Sequence, residues 1–129
     1  MKNTNVYNSL ETPCFVLDVM ELQQSINGYY EALRSNFSKT IIGYSVKTNS
    51  LPYCLCKAKD FGVYAEVVSH DEYELAILCG FPIYKIIYNG PMKSKETFIQ
   101  AIEGGALVNI ETKRELEWLK DLNLSLIHI

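Results

Sequence analysis

Short apolar stretches alternate along the chain with longer segments in which apolar residues recur at helical spacing. The short stretches predict β-strands at 14–17, 41–46, 63–68, 85–88 and 106–110. A polar residue suited to cap a helix follows each of them: Asp18, Ser50, Ser69, Ser94 and Thr112. Regular alternation of strand and helix predicts a parallel sheet built through right-handed crossovers.

Four of the five helical segments carry one apolar stripe, which predicts the face that each turns to the core. The predicted inward residues are Leu22, Ile26, Tyr29 or Tyr30, and Leu33; Leu51, Leu55 and Ala58; Phe98, Ala101 and Ile102; and Leu116, Leu119, and Leu122 or Asn123. Strand 41–46 does not alternate between apolar and polar residues, which is typical of a strand covered on both faces.

Two α/β architectures remain open at this point, an open doubly wound sheet and a β/α barrel. A Gly-x-Gly-x-x-Gly loop would favour a dinucleotide-binding fold, and the sequence has none. No phosphate-binding loop pattern surrounds Lys47 either. Four strand–helix units follow the short leading strand, about half of an eight-unit barrel, which takes about 250 residues.

Composition narrows the function classes. The 129 residues are 48% hydrophobic and carry a net charge of −3 without a basic stripe, which argues against a nucleic-acid partner. No apolar run is long enough to span a membrane, and the polar start of the chain does not resemble a secretory signal, so a cytoplasmic location is expected. The four cysteines lack metal-ligand spacing and are interpreted as small apolar side chains, with no metal site.

The last six residues, 124–129, match the translated end sequence of a transposase sequencing adapter. They are expected to be a non-native tail, which leaves 1–123 as a partial barrel domain. The alternative is that they begin a native fifth strand.

Polar residues gather at the predicted carboxyl ends of the strands, where parallel α/β folds place their sites. These residues are Lys47, Glu66 with Ser69, Asn89 with Lys93, and Asn109 with Glu111. Lys47 is either a nucleophilic amine able to form an imine with an aldehyde or a solvated loop lysine. Glu66 is either a carboxylate that supports positive charge near Lys47 or a water-facing strand end. Ser69 and Thr112 are interpreted as helix caps, and His70 as a first-turn surface residue.

The segment Tyr44-Ser45-Val46-Lys47-Thr48-Asn49 resembles the Tyr-Ala-Val-Lys-x-Asn motif of the fold-type III pyridoxal-phosphate-dependent decarboxylases, which act on diaminopimelate, ornithine and arginine. Three later segments resemble this family in the same order: Glu66 to Ser69 with Glu72, Ile87 to Ser94, and Ile110 to Thr112 with Glu115 and Leu116. The resemblance runs from Thr12 to about Leu122. It implies the N-terminal half of a TIM-type (β/α)8 barrel, closest in look to diaminopimelate decarboxylase.

The resemblance further implies that Lys47 is the catalytic residue and bears pyridoxal 5'-phosphate, that Glu66 contacts the cofactor where the family usually has aspartate, and that the substrate is a small amino acid. It implies a homodimeric full-length parent. In such chains the phosphate loop, the acidic partner of the pyridine nitrogen and the C-terminal β domain lie beyond residue 123. The fragment is therefore expected to be inactive by itself.

Two other functions stay open. An alanine-racemase-like enzyme also uses a lysine after its first strand, although the segments beyond Lys47 fit it less well. A decarboxylase-like regulatory protein would bind partners without cofactor, and the presence of Lys47 argues against it.

Overall fold

The computed structural model describes residues 9–120 and 122. Its elements are α1 (Val19–Arg34), β1 (Gly43–Ser45), α2 (Pro52–Asp60), β2 (Tyr64–Ser69), α3 (His70–Leu78), a 3-10 turn (Ile83–Lys85), β3 (Ile86–Met92), α4 (Lys95–Glu103), β4 (Leu107–Val108) and α5 (Lys113–Lys120). The predicted alternation of strand and helix is confirmed from residue 19 to residue 120. No helix among the described residues is long and apolar enough to cross a membrane.

The four strands form one parallel sheet in the order β1-β2-β3-β4. Each strand lies beside its predecessor in sequence, without the reversal of order that defines a doubly wound sheet. Sequential order is the arrangement of a β/α barrel. Of the two architectures left open by the sequence, the strand order favours the barrel.

One face of this sheet is packed under the helices. Four strand residues of this face and Val46, which follows β1, are fully buried; Tyr44 and Val108 are partly buried on the same face. They cluster with apolar side chains of α2, α3 and α4: Val46, Ala65, Val67, Ile86 and Tyr88 with Leu55, Tyr73, Ala76 and Ala101. Alternate residues point to the opposite face. There Glu66 and Ile87 are half-buried, and Leu107 is 47% exposed. Within the predicted strand 41–46, Ile41 is 49% exposed and Gly43 is exposed, so the prediction that this strand is covered on both faces is wrong for the described residues.

Helix starts follow the predicted capping chemistry with one exception. Asp18, Ser69, Ser94 and Thr112 each accept a hydrogen bond from the backbone N–H three residues on. Ser50 does not cap α2, because that helix begins with Leu51 as N-cap and Pro52 in its first turn. Asn49 takes over locally, since its Oδ1 accepts from Leu51 N at 3.1 Å.

Three further predictions are wrong. Residues 14–17 form no strand and pair with neither edge of the sheet, and Phe15 is fully exposed. Leu51 is 59% and Leu116 52% exposed, although the apolar pattern assigns both to inward stripes. In α5 the buried position belongs to Glu115. Trp118 of the same helix packs edge-to-face on Phe98 with ring centroids 5.5 Å apart.

Candidate active site

Lys47 lies in the turn that follows β1, at the carboxyl end of the sheet. The turn closes through a hydrogen bond from Thr48 N to Ser45 O at 3.2 Å. Val46, just before the lysine, is fully buried and donates its N–H to Glu66 O at 2.9 Å. The Lys47 side chain is exposed and makes no hydrogen bond or ion pair with another described residue. The backbone is thus anchored while the amine stays available.

Two residues of the same motif fix the loop around Lys47. The hydroxyl of Tyr44 donates to the carbonyl oxygen of Asn49 at 3.1 Å and so bridges the loop from one end to the other. Burial, followed by the nearby Cys54 thiol, raises the pKa of Tyr44, so the phenol remains a donor at neutral pH. Asn49 also starts α2 through its side chain. The motif spacing therefore has a structural basis independent of the lysine's chemistry.

Glu66 belongs to a line of polar side chains that crosses the carboxyl ends of β2, β3 and β4. Its Oε1 accepts from Asn89 Nδ2 at 2.7 Å, and Asn89 Oδ1 accepts from Asn109 Nδ2 at 2.6 Å. Ser45 pairs with Glu66 in the sheet, which places Glu66 two residues in register from Lys47. The structure thus brings Lys47, Glu66, Asn89 and Asn109 to one end of the sheet.

A register shift between β2 and β3 lies beside this line. Val67 pairs with Tyr88, but Ser69 pairs with Met92, so β3 contributes extra residues opposite Val68. Gly90 makes the detour possible with φ at +78°. A Cβ at this position would lie 2.5 Å from the carbonyl oxygen of Val68. Bulges of this kind often stand beside active sites, where they redirect a side chain.

Substitution Gly90→Ala is expected to lower the free energy of unfolding by about 2 kcal/mol or more, because it combines a positive φ with a clash against backbone. Urea denaturation measures the loss. Gly28→Ala is the matched control: Gly28 lies in α1, with nothing within 4 Å of the added Cβ. It should stabilise the protein by up to about 1 kcal/mol through helix propensity. Equal effects of the two changes would contradict the expectation.

Lys93, predicted as a rim residue, is instead buried and paired with Glu115. Both side chains are 0% exposed, and Lys93 Nζ lies 3.3 Å from Glu115 Oε1. The ammonium also donates to the carbonyl of Gly90 and lies 5.5 Å from the centroid of the Tyr88 ring. Lys93 therefore joins the loop after β3 to the start of α5.

Burial opposes ionisation of Glu115, but other contacts outweigh it. The backbone N–H groups of Glu111 and Thr112 donate to Oε2, and the ammonium of Lys93 adds its charge, so the pKa of this carboxyl lies below its ordinary value. Glu115 N in turn donates a hydrogen bond to Thr112 Oγ1, which confirms the predicted helix cap at Thr112 and completes a capping box. Glu115 thus holds the backbone of Glu111, whose side-chain Oε1 accepts a hydrogen bond from Gly90 N at 2.6 Å.

The sequence model of one family, described as "Pyridoxal-dependent decarboxylase, pyridoxal binding domain", matches residues 23–126. The chain belongs to this family. The match covers every strand of the sheet and both sides of the Lys47 turn. The domain is a pyridoxal-binding domain, and its four β/α units are those of the N-terminal half of a TIM-type barrel.

Known relatives carry consistent names. The chain is 32% identical over 106 residues to a probable chloroplastic diaminopimelate decarboxylase of Oryza sativa, covering 82% of this chain and 21% of the relative. It is 30% identical to the diaminopimelate decarboxylase of Helicobacter pylori over 94% of this chain and 30% of the relative. The crystal structure of diaminopimelate decarboxylase from M. jannaschii superposes with a TM-score of 0.77 at 27% identity, over 92% of this chain and 29% of that one.

The residues at the carboxyl ends of the strands fit the cofactor of such a domain. An exposed primary amine without an ionic partner among the described residues is suited to covalent attachment of an aldehyde. A carboxylate stands two residues away in register, on the face of the sheet that the helices leave uncovered. In a β/α barrel the active site lies at the carboxyl ends of the strands, and Lys47 and Glu66 both stand at that end.

Sequence reasoning missed several residues around the site. The motif alone does not reveal that Tyr44 and Asn49 bridge the loop around Lys47. It also does not reveal that Gly90 stands in the bulge of β3. The positive φ of Gly90 has a sequence signal, the Asn-Gly-Pro turn. His70 begins α3, where its Nδ1 lies 3.5 Å from Ser94 Oγ. It is half-buried between two helix starts, not fully at the surface as predicted.

Proposed function

We propose that this chain is the cofactor-bearing part of a pyridoxal-phosphate-dependent amino-acid decarboxylase, with a diaminopimelate-type substrate. The observation that carries the proposal is the exposed Lys47, which has no hydrogen-bond or ion-pair partner within residues 9–120 and 122 and stands on an anchored turn of a pyridoxal-binding domain. The chain spans 21–30% of the length of its Oryza sativa and Helicobacter pylori relatives. The activity is therefore proposed for the full-length protein, and the fragment by itself is expected to be inactive.

The residues of this chain would have the following roles in binding the cofactor. Lys47 would hold the cofactor through its amine, and the anchored Val46 and the Tyr44–Asn49 bridge would keep that amine in place. When bound, pyridoxal phosphate supplies an electron sink that accepts the electron pair left by the departing carboxylate. Glu66 would place a negative charge at the same mouth, beside the positive charge that the bound amine carries.

The substrate class is suggested by the relatives. The Oryza sativa and Helicobacter pylori proteins both carry the name diaminopimelate decarboxylase, and the Helicobacter pylori enzyme has been crystallised with L-lysine. Loss of one carboxylate as carbon dioxide converts diaminopimelate to lysine, so the molecule in that crystal matches the expected product. We extend this substrate to the present protein as part of the proposal.

Product analysis of the full-length protein tests the substrate. Incubation with meso-diaminopimelate and pyridoxal phosphate is expected to release carbon dioxide and L-lysine in equal amounts. Ornithine and arginine serve as alternative substrates, and L-alanine is the control for racemase chemistry. Faster formation of putrescine or agmatine than of lysine would reject the substrate, and formation of D-alanine without carbon dioxide would reject the reaction.

The proposal includes a homodimeric parent, the state implied by the family resemblance. Light scattering on the full-length protein should give twice the mass of one chain at micromolar concentration. A monomeric mass together with full activity would separate the catalytic proposal from the dimer.

A further inference from the structure

Three side chains at the carboxyl ends of neighbouring strands form a continuous hydrogen-bonded line, which we call the amide ladder. It runs from Asn109 through Asn89 to Glu66, with donor–acceptor distances of 2.6 and 2.7 Å. Both bonds are shorter than the usual N–H···O distance of about 2.9 Å. The bond to Glu66 has a carboxylate acceptor, and such charge-assisted hydrogen bonds are about twice as strong as neutral ones. The bond between Asn109 and Asn89 joins two neutral amides.

The ladder has one possible direction. An ionised carboxylate only accepts hydrogen bonds, so Asn89 must present its NH2 group to Glu66. Its carbonyl oxygen then faces Asn109, which must also present an NH2 group. Each amide is fixed by its neighbour, and both donors point toward Glu66. The second carboxylate oxygen, Oε2, makes no hydrogen bond with another described residue.

The backbone under the ladder is also fixed. Asn89 lies at the register shift between β2 and β3, followed by Gly90 in its positive-φ conformation. Gly90 N donates to Glu111, and Asn109 N donates to Tyr88 O at 3.0 Å. A bulged strand held on both sides aims Asn89 at Glu66, an arrangement that a surface asparagine does not require.

We infer that Asn89, oriented by Asn109, is a positioning residue that holds the Glu66 carboxylate with one oxygen free toward the group bound at Lys47. This inference rests on the proposed function. Asn89 acts through Glu66 and does not itself contact the cofactor or the substrate. Asn109 acts one step further away, through Asn89.

The first test needs no cofactor. A double-mutant cycle of Glu66→Ala and Asn89→Ala is measured by urea unfolding of the cofactor-free full-length protein. The double variant is expected to lose less stability than the sum of the losses in the two single variants. The difference should correspond to a factor of about ten in the unfolding equilibrium constant. The matched control pairs Glu66→Ala with Asn27→Ala, since Asn27 is exposed on α1. That pair should be additive.

The second test uses the holoenzyme. Asn89→Ala is expected to lower kcat by about 10- to 100-fold, with a smaller change in KM, and to alter the circular dichroism of the cofactor band. Asn109→Ala should act in the same direction with a smaller effect. Asn27→Ala should match the wild type. In a Glu66→Ala background, Asn89→Ala should cause no further loss of kcat.

The outcomes separate this inference from the proposed function. A wild-type protein with no cofactor band rejects the proposed function, and the ladder is then structural only. A normal band that Asn89→Ala and Asn109→Ala leave unchanged, together with unchanged kcat, overturns the positioning role alone. If the losses of unfolding free energy in Glu66→Ala and Asn89→Ala are additive, the two side chains are not coupled, and the inference is rejected whether or not the cofactor band is present. Loss of kcat by Asn89→Ala in the Glu66→Ala background would show that Asn89 acts without Glu66.

Discussion

Substitution Lys47→Ala is expected to abolish decarboxylation by the full-length protein, on the order of 10⁴-fold or more, and to remove its cofactor absorbance band. The reason is chemical: the primary amine is the group that forms the covalent attachment. Lys93, a second lysine predicted at the carboxyl ends of the strands, is buried and engaged with Glu115 and Gly90, so it cannot substitute. Activity assays and absorbance spectra of the purified proteins measure both effects.

Two companion variants separate chemistry from structure at Lys47. Lys47→Arg keeps the charge but lacks a nucleophilic amine at neutral pH, so it should be as inactive as the alanine variant. Lys39→Ala, an exposed lysine before the opposite end of β1, should behave as wild type. Methylamine added to Lys47→Ala should restore part of the activity. A retained band in Lys47→Ala would reject the assignment of this residue.

The second large effect concerns stability. Substitution Lys93→Met is expected to lower the free energy of unfolding by about 3 kcal/mol or more, because it leaves the carboxylate of Glu115 buried without its counter-ion. The two side chains are fully buried 3.3 Å apart. Lys57→Met is the matched control: Lys57 pairs with Asp60 at 3.7 Å on the exposed surface of α2. Loss of an exposed pair costs about 0–1 kcal/mol.

A double variant identifies the cause of the loss. Lys93→Met combined with Glu115→Gln removes the uncompensated charge, yet keeps an oxygen to accept from the N–H groups of Glu111 and Thr112. It should recover part of the stability lost in Lys93→Met. Equal destabilisation by the single and double variants would assign the loss to packing of the lysine stem instead of to charge.

The pH dependence follows from the same carboxylate. The pKa of Glu115 is lower in the folded protein than its ordinary value, so its contribution is fully present above that ordinary value. The contribution is lost as pH falls through the folded pKa. Unfolding free energy should therefore decrease on acidification, and Glu115→Gln should make this acid dependence shallower.

The helix starts could be predicted because the interactions that make them are local. Ser69, Ser94 and Thr112 each bond a backbone N–H three residues away, whatever the rest of the chain does. Ser50 failed for a local reason too, since Asn49 and Pro52 already define the start of α2. Lys47 was identified through its motif, and the structure adds why Tyr44 and Asn49 belong to that motif.

The sequence by itself determined the order of strands and helices from residue 19 to 120, every cap except that of α2, the family and the candidate lysine, because each depends on neighbouring residues or on a short motif. Tertiary structure decided the strand order in the sheet, the single covered face, the buried Lys93–Glu115 pair and the line from Asn109 to Glu66. Those features join residues about 20 positions apart in the chain, so they depend on strand register. The register shift between β2 and β3 at Gly90 is one such feature, and a hydrophobic pattern does not reveal it.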